Sequence, residues 1–305
     1  MSSREATPSH SARPRLWRLM SYAILALWSL VCIFPVYWLV NVSIMPTSAV
    51  DTGPHFLPVF GFSPSLRAWR FILADPFESL LRPLLNSAVV ATAATLLTLA
   101  CSALALYALT RLRLPVLRLP TGRGRPVSPM LGLLPAVLAT RVVPPVVLAL
   151  PIYVMAARSG TLDTRFILIM TYAAANLPVS MWLLRPVLGL RPTDQEESAQ
   201  LDGASHLRIL VSVLLPMVAG GVAATGLLIF MLCWNEYLFA AYLATDHAAT
   251  LPTWAAGQLS MKEAQAASEG EEWANLSAAT ILMALPLLGF AAVLQRILGQ
   301  SVSRH

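Results

Sequence analysis

The sequence predicts an all-α membrane protein with six transmembrane helices and both termini cytoplasmic, on three observations. First, 57% of its 305 residues are hydrophobic and only 12% charged, against about 45–50% and about 25% in ordinary soluble domains. Second, the charges are not scattered. Uncharged runs of 32 (Arg18 to Asp51), 28 (Arg82 to Arg111), 19 (Arg165 to Arg185), 27 (Arg208 to Glu236) and 23 residues (Glu272 to Arg296) stand between them. A sixth apolar run, Arg125 to Arg158, is interrupted only by Arg141. A membrane helix needs roughly 20 apolar residues. Third, these runs are rich in Leu, Ala and Val and far longer than the alternating segments of about 10 residues found in barrel strands. Helices satisfy their own backbone polar groups, so they are the expected spanning structure.

Taken in order, residues 1–18 form a Ser-, Pro- and Arg-rich cytoplasmic tail, expected to lack order. Residues 19–298 form the six-helix domain, with spans near 19–42, 85–109, 130–156, 166–186, 211–240 and 274–296, and residues 299–305 form a short cytoplasmic tail. The first run follows a basic segment but exceeds a signal peptide's apolar core and has no evident cleavage site, so it reads as a retained helix. The first external loop, 46–83, carries Phe56, Phe60, Phe62, Trp69 and Phe71 and a short amphipathic helix near Leu66–Leu73. The loop at 111–129 is a basic connector with five Arg, suited to anionic lipid. The last external loop, 244–273, is acidic and ends in Glu269, Glu271, Glu272 and Trp273.

Orientation follows from loop charge. With the N-terminus inside, 14 of the 21 Lys and Arg lie in cytoplasmic segments, which then carry a net +9 against −3 outside. The overall charge of +6 is thereby explained by topology, not by a nucleic-acid surface. Cys32, Cys101 and Cys233 all fall within apolar runs at spacings that support neither disulfides nor a metal site, and read as small buried residues. The sequence has no HExxH, GxSxG or Walker-type glycine-rich signature, so no enzyme activity, metal or cofactor is expected.

One cytoplasmic loop differs from the rest. Within Pro192–Ser205, Thr193 and Glu196 have the spacing of a capping box. Small Ser198 and Ala199 leave one flank flat, Gly203 is placed to end a helix in the left-handed region, and Ser205 can cap the next helix. Pro216 sits at the mouth of the fifth span and favours a kink. A surface helix near 193–208 joined to a kinked span suits the transfer of movement from a soluble partner. Pro144, Pro145, Pro151 and Pro178 are further candidate kinks.

The run Glu197-Ser198-Ala199-x-x-Asp202-Gly203-Ala204, followed by Val213-x-Leu215-Pro216, resembles the EAA motif of ABC importer permeases, with Ser198 as its only notable change. Other segments resemble the carbohydrate (maltose-type) branch: Asn86-Ser87, Ala105 through Arg111, Arg141-x-x-Pro144-Pro145, Gly160 through Thr164, Leu177-Pro178 with Trp182, and Trp234-Asn235-Glu236-Tyr237. The resemblance covers about residues 30–298. Two departures stand out: Ile44-Met45 after Ser43, where a Lys is common, and the short end Ser301–His305 in place of a Gly-rich tail.

This resemblance implies the type I ABC importer permease fold and a multi-pass subunit in the bacterial inner membrane. Its implied partners are a homologous permease as heterodimer, two ATP-binding subunits, an extracytoplasmic substrate-binding protein and membrane lipid. It implies that Glu197, Ser198, Ala199, Asp202, Gly203, Ala204 and Pro216 couple to the ATPase, and that the cargo is a sugar. Alternative cargoes are glycerol-phosphate, polyamine or compatible solute; a non-transporting scaffold is the alternative class. Arg141, Asn235 and Glu236 are candidates for the pathway or a subunit interface, because intramembrane polar groups are costly against lipid. Ideal helices would set Arg141 and Glu236 at different depths, so each is expected to meet backbone or Asn partners more readily than the other.

Overall fold

A computed structural model describes residues 15–58, 61–74, 80–111, 129–189, 194–257 and 269–302. Residues 1–14 of the N-terminal tail, nearly all of the basic connector, and Thr193 lie outside them, while residues 15–18, expected to belong to the disordered tail, begin a helix. Every regular element among the described residues is helical.

Helix α1 (Arg15–Ser43) is followed by two short helices, α2 (Thr47–Thr52) and α3 (Arg67–Leu73). The long helix α4 (Arg82–Arg111) comes next, then α5 (Pro129–Ala139) and α6 (Pro145–Ser159). Helix α7 (Arg165–Gly189) leads to the short pair α8 (Asp194–Leu201) and α9 (His206–Ile209). Helices α10 (Leu215–Met217), α11 (Ala219–Trp234), α12 (Leu238–Leu243), α13 (Leu251–Gly257) and α14 (Glu269–Val302) complete the chain. Helix α3 falls where the sequence suggests an amphipathic helix. Helix α14 starts at Glu269, so the end of the expected acidic loop is helical instead.

Four stretches are long and apolar enough to cross a membrane unbroken: Trp17–Ser43, Arg82–Arg111, Arg165–Gly189 and Trp273–Ala292. The third and fifth expected spans are instead bent pairs. Leu134–Val142 meets Pro145–Ser159 at 92°, and His206–Met217 meets Ala219–Trp234 at 88°. Proline chemistry accounts for both. A 3-10 turn at Thr140–Val142 runs into Pro144, which is extended (φ −58°, ψ 133°), and Pro145 restarts the helix at its first turn. In the fifth, Pro216 removes a backbone donor, the preceding turn Leu210–Leu214 widens to π geometry, and the axis breaks at Val218. Pro178 behaves differently from the kink its sequence suggests, because α7 runs through both Pro178 and Pro186 without a break.

The core centres on α4 against α7. Small residues on α4 (Ser87, Ala91, Ala94, Ser102) are buried there and let the helices approach closely. Thr95 and Thr98 return their hydroxyls to the carbonyls of Ala91 and Ala94, which satisfies both donors within their own helix. Helix α11 closes against the same pair. A Cβ at Gly221 would lie 2.6 Å from Val187 Cγ1, so this crossing admits only glycine without rearrangement. Two apolar clusters result. One gathers Leu168, Tyr172, Ile229, Trp234, Leu243 and Leu251; the other, at the opposite end, gathers Leu106, Leu134, Met181, Leu184, Leu210 and Leu214. Cys233 is buried as expected, Cys101 is half-buried, and Cys32 is exposed on α1, contrary to the sequence reading. The cause is that α1 packs chiefly against α14 and leaves most of its surface open.

Candidate functional site

The segment singled out in the sequence folds as α8, a left-handed turn, and α9. Asp194, Glu196 and Glu197 occupy the first turn of α8, where the helix dipole favours negative charge. The turn at its end is a Schellman arrangement. Gly203 has φ 80°, its N–H reaches Gln200 O at 3.0 Å, and Ala204 N–H reaches Ala199 O at 3.0 Å. Ser205 Oγ then accepts from Arg208 N–H at 3.4 Å and starts α9.

Glu197, Ser198, Asp202 and Gly203 are exposed, as is Pro216, while Ala199 and Ala204 are half-buried. Between them Leu201 is 90% exposed. The segment therefore offers an apolar knob ringed by Glu197 and Asp202 on a nearly flat flank. Sequence reasoning passed over Leu201, although an apolar residue two positions before a helix-ending glycine on a polar helix is a readable signal.

The expected capping box involves Thr193, which lies outside the described residues. The Glu196 carboxylate accepts two bonds from Arg111, the last residue of α4. Arg111 Nη2 donates to Oε1 at 2.8 Å and Nε to Oε2 at 3.0 Å. Glu196 is the one buried residue of α8, at 3% exposure. A carboxylate so desolvated requires a strong partner, and the forked guanidinium supplies both bonds at once. One turn earlier on α4, Tyr107 Oη lies 3.3 Å from His206 Nδ1 of α9.

The intramembrane candidates do not come together. Arg141, exposed in the break of the third expected span, donates from Nη2 to Asn176 Oδ1 at 2.7 Å. Asn176 in turn donates to Tyr172 O and to Cys233 Sγ. Glu236 accepts backbone N–H bonds from Phe239 (3.0 Å) and Ala240 (3.2 Å) and so caps α12. Asn235 is exposed and returns its Nδ2 to Met231 O.

At the opposite end of the bundle from α8, segments far apart in sequence converge on the strand of chain at 244–251. Asn86 Nδ2 donates to His247 O (2.9 Å) and Ala249 O (2.8 Å), and its Oδ1 accepts from Arg165 Nε at 2.7 Å. Ser87 Oγ accepts from Leu251 N–H at 2.8 Å. Asp163, in the left-handed region at φ 55°, accepts N–H bonds from Asp246, His247 and Ala248 at 3.2, 2.7 and 3.0 Å. Partial burial pushes the Asp163 carboxyl up, but the N–H groups of Ala248, His247 and Asp246 outweigh it and hold it below the usual carboxylate range. With both oxygens committed to backbone, the Asp163–Asp246–His247 cluster is a clamp on the loop.

The described bundle carries helices long and apolar enough to cross a membrane, an exposed acidic helix at one end and a clamped loop at the other, the build of a membrane component. Residues 122–304, more than half of the chain, match the model of the binding-protein-dependent transport system inner membrane component family. The chain belongs to that family and is the membrane permease component of an ABC importer. It is 32% identical over 297 residues to the probable ABC transporter permease protein y4oR of Sinorhizobium fredii, covering 97% of this chain and 96% of the relative. It is 30% identical over 273 residues to the trehalose/maltose transport system permease protein MalG of Thermococcus litoralis, covering 88% and 89%. The diacetylchitobiose uptake system permease protein NgcG of Streptomyces coelicolor is 30% identical over 292 residues, covering 95% and 89%. A crystal structure of a bacterial ABC transporter involved in the import of the acidic polysaccharide alginate shares the fold, with TM-score 0.68 at 20% identity over 95% of this chain and 99% of that one.

Proposed function

We propose that this chain is one of two non-identical permease subunits of a bacterial inner-membrane sugar importer. It crosses the membrane six times, with the third and fifth crossings made by the bent pairs and both termini in the cytoplasm. Similarity to permeases named for trehalose, maltose and diacetylchitobiose uptake supports a sugar cargo, and the loop-charge asymmetry supports the orientation. Two ATP-binding subunits dock on the inner face and a substrate-binding protein on the outer one. Glu197, Ser198, Ala199, Asp202, Gly203 and Ala204 form the docking surface, and Pro216 begins the bend that passes its motion into the fifth crossing.

The observation that carries this reading is the shape of the α8–α9 segment. A helix whose side chains, Glu196 apart, are nearly all exposed, with a bare Leu201 at its end, leaves most of its surface unused by its own chain. Such a surface is explained by a partner. Arg141, Asn235 and Glu236 line the pathway or the subunit interface. Irregular backbone at membrane depth, as at Thr140–Pro144, is compatible with a membrane only where protein or water covers it.

Replacing Gly203 with Arg tests the docking role. A side chain there must adopt the positive φ that L residues resist, and its bulk projects from the docking surface. Radiolabelled trehalose and maltose uptake into cells is expected to fall to background with the amount of membrane-inserted protein unchanged. Uptake at the native level in that variant would refute the assignment.

A further inference from the structure

We propose that Arg111 and Glu196 form the joint through which α8 acts on the membrane bundle, and that α4 carries the movement to the clamped chain at 244–251. The inference rests on the reading of α8 as the ATPase-docking helix.

Three observations support it. The joint is stiff where the rest of α8 is loose, because Glu196 is the one side chain of that helix that is buried, and it is held by two bonds of 2.8 and 3.0 Å. A bidentate guanidinium–carboxylate pair resists rotation as well as separation. The second tie, Tyr107 Oη to His206 Nδ1, lies one turn along α4 and grips α9, so both short helices are fastened to the same rod. The rod is continuous. Helix α4 runs 30 residues from Arg82 to Arg111, about 45 Å at the rise of an α-helix.

The far end of that rod is fastened as firmly as the near one. Asn86 and Ser87, in the second turn of α4, hold the carbonyls of His247 and Ala249 and the N–H of Leu251. Asp163 fixes the N–H groups of residues 246–248 from another side. A displacement of α8 therefore reaches 244–251 along one unbroken helix. The fifth crossing is a poorer lever, being broken at Val218 and bent by 88°.

The test uses the assembled transporter in lipid nanodiscs, with its ATP-binding subunits and partner permease. Exposed Thr245 is replaced with Cys and labelled with bimane, in a background of Cys32→Ser, Cys101→Ser and Cys233→Ala. ATP with vanadate is expected to shift the bimane emission. Glu196→Gln keeps the side chain's shape, strands no carboxylate, and is expected to abolish the shift while ATP hydrolysis continues. The charge exchange Arg111→Glu with Glu196→Arg is expected to restore the shift. A purely structural pair would lower assembly and hydrolysis together, and would not separate hydrolysis from the signal.

An emission shift of native size in Glu196→Gln would overturn the proposal, as would its failure to return in an assembled charge-exchanged complex, or its absence in the native complex. Should Glu196→Gln fail to assemble, Arg111→Lys replaces it, with a reduced shift expected and a native one decisive against the proposal. Gly203→Arg in the same assay separates the two readings. Loss of the shift there with retention in Glu196→Gln would remove the joint alone, whereas retention in Gly203→Arg would remove the docking role of α8 itself.

Discussion

At the residue scale, the described structure is held by single side chains that serve distant backbone. Asp163 is the clearest case, with one carboxylate receiving three N–H groups more than 80 positions away. Because its pKa is depressed on folding, its stabilisation is fully present above the unfolded carboxylate value of about 3.9 and is lost as pH falls through the lower folded value. Asp163→Asn is accordingly expected to lower the melting temperature of the detergent-solubilised protein at about pH 7, with the gap to native closing as the pH falls below the unfolded carboxylate value and the native carboxylate protonates. A gap independent of pH would show that the carboxylate's charge contributes nothing. Local chemistry of this kind was partly legible. Gly203 and Ser205 announce a helix stop and start within a few residues, and their geometry follows. Asn86 and Asp163 stand out as motif positions, yet nothing in the chain says that both hold 244–251. That tie joins three segments through tertiary packing. For the same reason the partner of Glu196 cannot be read from its neighbours: Arg111, 85 positions away, donates to the carboxylate.

At the scale of elements, packing decides which prolines matter. Pro144 and Pro145 together break their helix and Pro178 does not, although each lacks the same donor. A Pro-Pro pair forces the preceding residue out of the helical region as well, whereas a lone Pro inside a helix packed on two neighbours is accommodated. The prolines at both breaks, Pro144 and Pro145 in one and Pro216 in the other, are legible in the sequence as candidate kinks, but so is Pro178, and only packing decides that four of the six expected spans stay unbroken. The crossing of α7 and α11 is set by the contact of Gly221 with Val187. Gly221→Val places branched carbon into that contact and is expected to destabilise by about 1–3 kcal/mol. Its measure is an earlier loss of the monodisperse peak on heating in size-exclusion chromatography. An unchanged profile would mean that the helices separate at no cost.

At the scale of the whole molecule, the chain is incomplete by design. Helix α1 is exposed from Trp17 to Tyr37, Leu201 stands in solvent, and the break beside Arg141 is uncovered. The proposed assembly would cover each: lipid or a second permease against α1, an ATP-binding subunit against α8, and a shared pathway beside the break. The central claim is that α8 is the surface an ATP-binding subunit grips. Site-specific incorporation of p-benzoylphenylalanine at Leu201, followed by illumination of the assembled transporter, measures this directly. The account predicts a crosslinked product between this chain and the ATP-binding subunit, formed in abundance at Leu201 and not at Leu150, which is exposed on α6. Equal labelling at both positions, or a Leu201 product made only with lipid or with the substrate-binding protein, would contradict it.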